Sequence, residues 1–275
     1  MDVARIETLF RENFTHFGDL GASLCVWCDG REVISLAAGW RDRDRTQPWT
    51  AETPVLVWSA TKGPAVACVL HSMQERGLTL DTRVADVWPE FAAHGKGVLT
   101  IGGALSHQSG VPALDRAASV FDHDEVARAI AEQAPFWEPG TAHGYGPRLY
   151  GFLLDELVRR IAGTPLGEYW RAVFADPLAL DFWMGVPADL VEKVAPIFPP
   201  KAEGEGPKIA SNFFPSGGSR SPTGESGSRM KPAENAVSVS STRSSPCTSV
   251  RCIHASVSAL KNGWPSSEPP AASMA

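Results

Sequence analysis

The chain has 275 residues, with 25 Lys and Arg against 31 Asp and Glu, for a formal net charge of −6. That length suits one large domain or two small ones with a substantial core. The acidic balance, with no basic stripe, gives no reason to expect nucleic acid or an anionic membrane surface as partner. The opening MDVARIETLFRENFTHFGDLG is an acid-containing amphipathic stretch without the uninterrupted apolar run of a secretion signal. No segment approaches the ~18 apolar residues of a membrane span, so a cytoplasmic protein is expected.

In chain order, residues 4–16 predict a helix. ASLCVWCDGREVISLAAGW, residues 22–40, reads as two apolar strands around Asp29-Gly30, a strong hairpin signal. Cys25 and Cys28 have C-x-x-C spacing, but positions three apart on a strand face opposite sides, so core packing is expected rather than a metal or redox pair. Five cysteines, scattered and odd in number, give no disulfide framework. Residues 59–76 predict a helix whose buried face carries Val66, Val69, Leu70 and Met73, with Gly77 as its C-terminal cap. LTIGGALSHQSGVP, residues 99–112, predicts a short helix ending in a turn. EVARAIAEQAP and RLYGFLLDELVRRIAG predict amphipathic helices, the second stopped by Gly163 and Pro165, and LGEYWRAVFADPL predicts more helix. A hairpin followed by many helices implies an α+β fold.

Composition then changes sharply. Residues 1–210 hold 7 serines and residues 211–275 hold 17, while Lys and Arg against Asp and Glu go from 19 against 28 to 6 against 3. The expected organisation is a domain over residues 1–205 and a Ser/Pro/Gly-rich tail over residues 206–275. The tail reads either as a natural disordered extension or as an ordered part replaced by out-of-frame translation.

Ser59-Ala60-Thr61-Lys62 opens the helix predicted at residue 59. Residues i and i+3 share a helix face, so the Lys62 amine can reach the Ser59 hydroxyl. A serine hydroxyl is a weak nucleophile until a neighbour takes its proton, and a helix start aims backbone N–H groups at a developing anion. Serine is also a common helix N-cap and lysine a common surface residue, so S-x-x-K alone decides little. Two further stretches follow it: LSHQSGVP at 105–112, and EPGTAHGYGPRLYG at 138–151, which places Tyr145 before a long amphipathic helix.

In order and spacing the set resembles the serine β-lactamase and penicillin-recognising superfamily, and within it the class C β-lactamases and the family VIII carboxylesterases. The resemblance covers about residues 5–200. It implies an antiparallel sheet flanked by helices with a helical subdomain, Ser59 as the acyl-accepting nucleophile, Lys62 as a proton acceptor beside it, and Tyr145 as general base and acid. No metal or cofactor is implied, and the partner is a small-molecule ester. His107 is expected to order a turn rather than transfer a proton. Trp58, Trp137, Trp170 and Trp183 are read as core residues ahead of acyl-pocket lining, and His143, near Tyr145 in sequence, is given no role.

Two departures from the family pattern matter. The β-lactamases carry tyrosine, one residue, then asparagine, whereas Tyr145-Gly146-Pro147 puts a proline where that amide donor belongs. An ester is therefore preferred over a β-lactam or D-alanyl peptide. The third motif of the family, K-T-G or an equivalent on a C-terminal strand, has no convincing counterpart in residues 211–275. An incomplete sheet is expected, and with it an inactive remnant as the alternative to a working hydrolase.

Overall fold

The computed structural model describes residues 2–198 and the backbone of a short strand at Ser238–Ser240. Helix α1, Val3–Glu12, starts where the Asp2 carboxylate accepts the Arg5 N–H at 3.0 Å, and it buries Phe10. A wider helical turn over Asn13–Phe17 leads to strands β1, Gly21–Cys28, and β2, Arg31–Gly39. The two pair antiparallel from Gly21 opposite Gly39 to Cys28 opposite Arg31. Asp29 and Gly30 form the two-residue loop, with φ of 50° and 73°, the left-handed pair that a tight hairpin requires. Cys25 is buried against the core and Cys28 is exposed at the strand end, so the core reading holds for Cys25 and fails for Cys28.

Strand β3, Val55–Leu56, leads through a tight 3-10 turn at Trp58–Thr61 into helix α2, Lys62–Glu75. The helix expected from residue 59 thus begins three residues later. Pro64 sits in its first turn, where the missing N–H has no intrahelical acceptor to lose. Gly77, φ 66°, ends it as expected, with the Leu78 N–H returning to the Met73 carbonyl at 2.9 Å. The buried face carries Ala65, Cys68, Val69 and Met73, while Leu70 is 42% exposed, a correction to the expected stripe.

Helix α3, Val84–Val87, precedes an irregular helical stretch over Pro89–Val98 that kinks at Ala93-His94-Gly95. Lys96 there is fully buried and donates to the carbonyls of Ala93, Ala131 and Gln133 at 2.9, 2.9 and 2.7 Å. Helix α4, Ile101–Leu105, is capped by Thr100, and α5, His123–Glu132, by Asp122. Helix α6, Leu149–Ala162, stops at left-handed Gly163. Helix α7, Leu166–Trp170, runs on into a wider turn at Arg171–Ala175. Strand β4, Phe182–Met184, and helix α8, Ala188–Val191, follow.

One core joins these helices: Val69 and Met73 of α2, Leu154, Leu157 and Val158 of α6, Ile130 of α5, Trp170 of α7, and Phe174 in the turn after it. Two polar ties reinforce it. His123 bridges Asp155 and Glu156 of α6 at 3.0 and 2.9 Å, and the Asp155 carboxylate accepts the Leu166 N–H at the start of α7.

Strand β5, Ser238–Ser240, pairs antiparallel with both β3 and β4, giving a three-stranded sheet in the order β3-β5-β4 beside the β1-β2 hairpin. A strand was not expected from the composition after residue 211. The rest of the expected tail, and the question of the third motif, lie outside the described residues. Among the described residues no helix is long and apolar enough to cross a membrane.

Candidate active site

Ser59 lies in the turn between β3 and α2, and Lys62 opens α2, so the three-residue spacing brings them together locally. Lys62 Nζ donates to Ser59 Oγ at 3.0 Å. Trp58 adopts φ 48°, in the left-handed region that a bulky residue avoids, and this backbone bend carries Ser59 out to an exposed position ahead of the helix. Trp58 itself is 69% exposed, which overturns its reading as a core residue.

Tyr145 arrives from 86 residues downstream, and its hydroxyl lies 2.7 Å from Ser59 Oγ. Three backbone hydrogen bonds hold the segment that carries it. Phe136 N–H donates to the Gly110 carbonyl at 2.8 Å, Gly140 N–H to Gln108 at 2.9 Å, and Gly144 N–H to His107 at 3.0 Å. The LSHQSG segment therefore acts as an edge along which residues 136–144 are laid. Trp137 closes this loop: its Nε1–H donates to the Ala142 carbonyl at 2.9 Å, and its ring fills the space a side chain at Gly144 would need. On the far side, Tyr150 of α6 donates its hydroxyl to the Leu105 carbonyl at 2.7 Å, tying α6 to α4.

The electrostatics of the cluster are specific. The Lys62 ammonium, 5.0 Å from the centre of the Tyr145 ring, and then the Ser59 hydroxyl hold the phenol below its ordinary value, with slight burial opposing them. Lys62 donates to Ser59 Oγ, and between Ser59 and Tyr145 either hydroxyl can be the donor; when Tyr145 is ionised, the serine proton points at it. His107 is held below its ordinary value by burial, then by Lys62 and His143. The structure thus brings together all three residues singled out by motif, Ser59, Lys62 and Tyr145. His143 is exposed. Trp170 belongs to the core, while Trp137 and Trp183 are half-buried outside it. Pro147, two residues after Tyr145, is exposed and has no N–H to offer.

Sequence reasoning undervalued Trp137 and His107, whose contacts run through the 107–110 and 136–144 pairing. The glycines at 110, 140 and 144 were its only local signal. A cleft of about 530 Å³ elsewhere, lined by Arg41, Gln47, Trp183 and Lys193 among others, touches none of the three motif residues.

Comparison with known proteins shows the family and the fold. The family model described as Beta-lactamase matches residues 10–239. The chain is 34% identical over 186 residues to "Esterase/beta-lactamase LipL" of Mycobacterium tuberculosis, a match covering 66% of this chain and 43% of that protein. A penicillin-binding protein homologue from Caulobacter crescentus superposes with a TM-score of 0.70 at 33% identity, over 87% of this chain and 66% of its own. A family VIII carboxylesterase superposes with a TM-score of 0.65 at 34% identity, over 70% of this chain and 54% of its own. The chain spans less than half the length of the curated relatives it matches.

Proposed function

Since the chain belongs to the beta-lactamase family of serine hydrolases, with esterase, β-lactamase and penicillin-binding relatives, we propose that it hydrolyses short-chain carboxylic esters through an acyl-enzyme on Ser59, with Lys62 and Tyr145 handling the proton. The observation that carries this reading is the position of Ser59 Oγ, 3.0 Å from the Lys62 ammonium and 2.7 Å from the Tyr145 oxygen.

In the proposed reaction the Tyr145 phenolate, favoured by the adjacent Lys62 charge, takes the Ser59 proton as Oγ attacks the ester carbonyl. The tetrahedral intermediate collapses as the C–O bond to the alcohol breaks and Tyr145 returns the proton to the leaving oxygen. Water, deprotonated by the same phenolate, then attacks the acyl-serine, releasing the acid and restoring Ser59. Each proton moves among Ser59, Tyr145, the leaving alcohol and the attacking water, the last one passing from water through Tyr145 back to Ser59 Oγ.

A second reading is hydrolysis of β-lactams or D-alanyl peptides; likeness to an esterase/beta-lactamase and to a penicillin-binding protein favours its β-lactam part. Pro147 weighs against it, because the side-chain amide expected two residues after the tyrosine is missing. The deciding experiment is intact-mass analysis of the purified chain after incubation with a fluorophosphonate, beside Ser59→Ala, with p-nitrophenyl acetate and nitrocefin turnover followed in the same samples. A single adduct that disappears in Ser59→Ala, with acetate turnover, is expected. Folded protein without an adduct refutes the reading and leaves a non-catalytic remnant of the family.

A further inference from the structure

His107 touches this site but has no part in the proton transfers proposed above. Its backbone is left-handed, φ 61°, a conformation that costs a non-glycine residue on the order of 1 kcal/mol and persists only where the surroundings enforce it. The contacts that hold it also hold Tyr145. Its carbonyl accepts the Gly144 N–H at 3.0 Å, and its Nδ1 faces the Gly146 N–H at 3.5 Å, so one residue brackets Tyr145 from both sides along the chain. Its ring lies between two phenols, stacked on Tyr150 at 4.0 Å and tilted against Tyr145 at 4.9 Å. Tyr150 is only 6% exposed. The Tyr145 ring is therefore linked to the core through the imidazole of His107.

We propose that His107 is the positioning residue of Tyr145: a neutral imidazole, its Nδ1 accepting the Gly146 N–H and its proton on Nε2, holds the phenol against Ser59 and Lys62. This rests on the serine-hydrolase reading of the same site. The titratable groups facing the ring are Lys62 from α2, His143 and Tyr145 from the segment before α6, and Tyr150 from α6. Burial, and then Lys62 and His143, favour the neutral form, which the contact with Gly146 requires, since a protonated ring would set two N–H donors against each other.

The experiment follows the phenols directly. The chain has three tyrosines, and they titrate apart: Tyr145 below its ordinary value, Tyr150 pushed up to about 12, and Tyr169 above its ordinary value through burial. NMR of the full chain labelled with [13Cζ]tyrosine resolves them, with Tyr145→Phe assigning the early one. His107→Gly keeps the left-handed backbone without strain, and the carbonyl that Gly144 donates to, but has neither the ring nor its Nδ1 acceptor. In that variant the Tyr145 signal is expected to lose its early titration, and fluorophosphonate labelling of Ser59 to fall on the order of 10²-fold. His107→Asn tolerates the same backbone and offers an amide oxygen near the place of Nδ1, so it is expected to restore the early titration and labelling to within about tenfold of wild type. Tyr169, hydrogen-bonded to His71 on α2, reports that the fold is intact. An unchanged Tyr145 titration in His107→Gly overturns the proposal, as does a His107→Asn variant no better than His107→Gly. If Tyr145 responds in both variants as expected while wild type fails to react with fluorophosphonate, the positioning role stands and the hydrolase reading fails.

Discussion

Replacing His123 with Gln removes an ion cluster that joins α5 to α6, and its effect depends on pH with a predictable sign. His123 is held up to about 9 by Asp155 and then Glu156, with burial opposing them. Burial pushes Asp155 up, but His123 and the Leu166 N–H bring it below its ordinary value; Glu156 is held low by His123 and Arg160. A folded-state value near 9, against the ordinary 6.5, corresponds to about 3 kcal/mol of stability from the charged imidazole. That contribution is complete below pH 6.5 and is lost as pH rises through 9. Lys96 runs the other way: burial draws it down to about 8, so its folded state sheds the proton before the unfolded chain does, which favours folding at higher pH. The difference between wild type and His123→Gln cancels the Lys96 contribution. Urea unfolding of both proteins at pH 6 and pH 9.5 should show a gap of about 3 kcal/mol at the lower pH that closes to under about 1 at the higher. A gap of the same size at both values would refute the electrostatic argument and leave only lost packing.

Lys62→Met removes the charge that favours the phenolate. Fluorophosphonate labelling of Ser59 should fall on the order of 10²–10⁴-fold. In wild type the labelling rate should rise with pH and level off below the ordinary phenol value of 10, because the deprotonated Tyr145 is the base, and in the variant that inflection should move upward. Gly144→Ala places a Cβ 2.3 Å from the Trp137 ring, so the loop must shift. A stability loss of about 1–3 kcal/mol is expected by thermal melting, with slower labelling of Ser59; wild-type behaviour would show that the Trp137 loop does not set the position of Tyr145.

What could be read in the sequence was mostly local. Ser59 and Lys62 meet because three residues make about one helical turn, and the loop at Asp29-Gly30 follows from the backbone angles those residues accept. The helix stops at Gly77 and Gly163 follow from the same chemistry. Tyr145 was placed by motif resemblance, since no local rule carries a contact across 86 residues. Leu70 departs from its expected burial because periodicity marks an apolar position without saying whether a neighbour covers it, and Trp58 because a large aromatic side chain is usually packed but need not be. Lys96 is the opposite case: a cation placed at full burial by the convergence of carbonyls from two separate segments. The pairing of residues 107–110 with 136–144 also escaped, because its bonds are backbone to backbone and almost independent of side chain.

The packing of α2 against α6 and α7 encloses a cysteine. Cys68 is fully buried, and burial pushes its thiol up to about 12, so in the folded chain it is inert to alkylating reagents at neutral pH, while Cys28 on the hairpin is open to them. The molecule therefore contains its own clock for helix separation: the rate at which Cys68 becomes alkylated measures how often α2 lifts away from its neighbours.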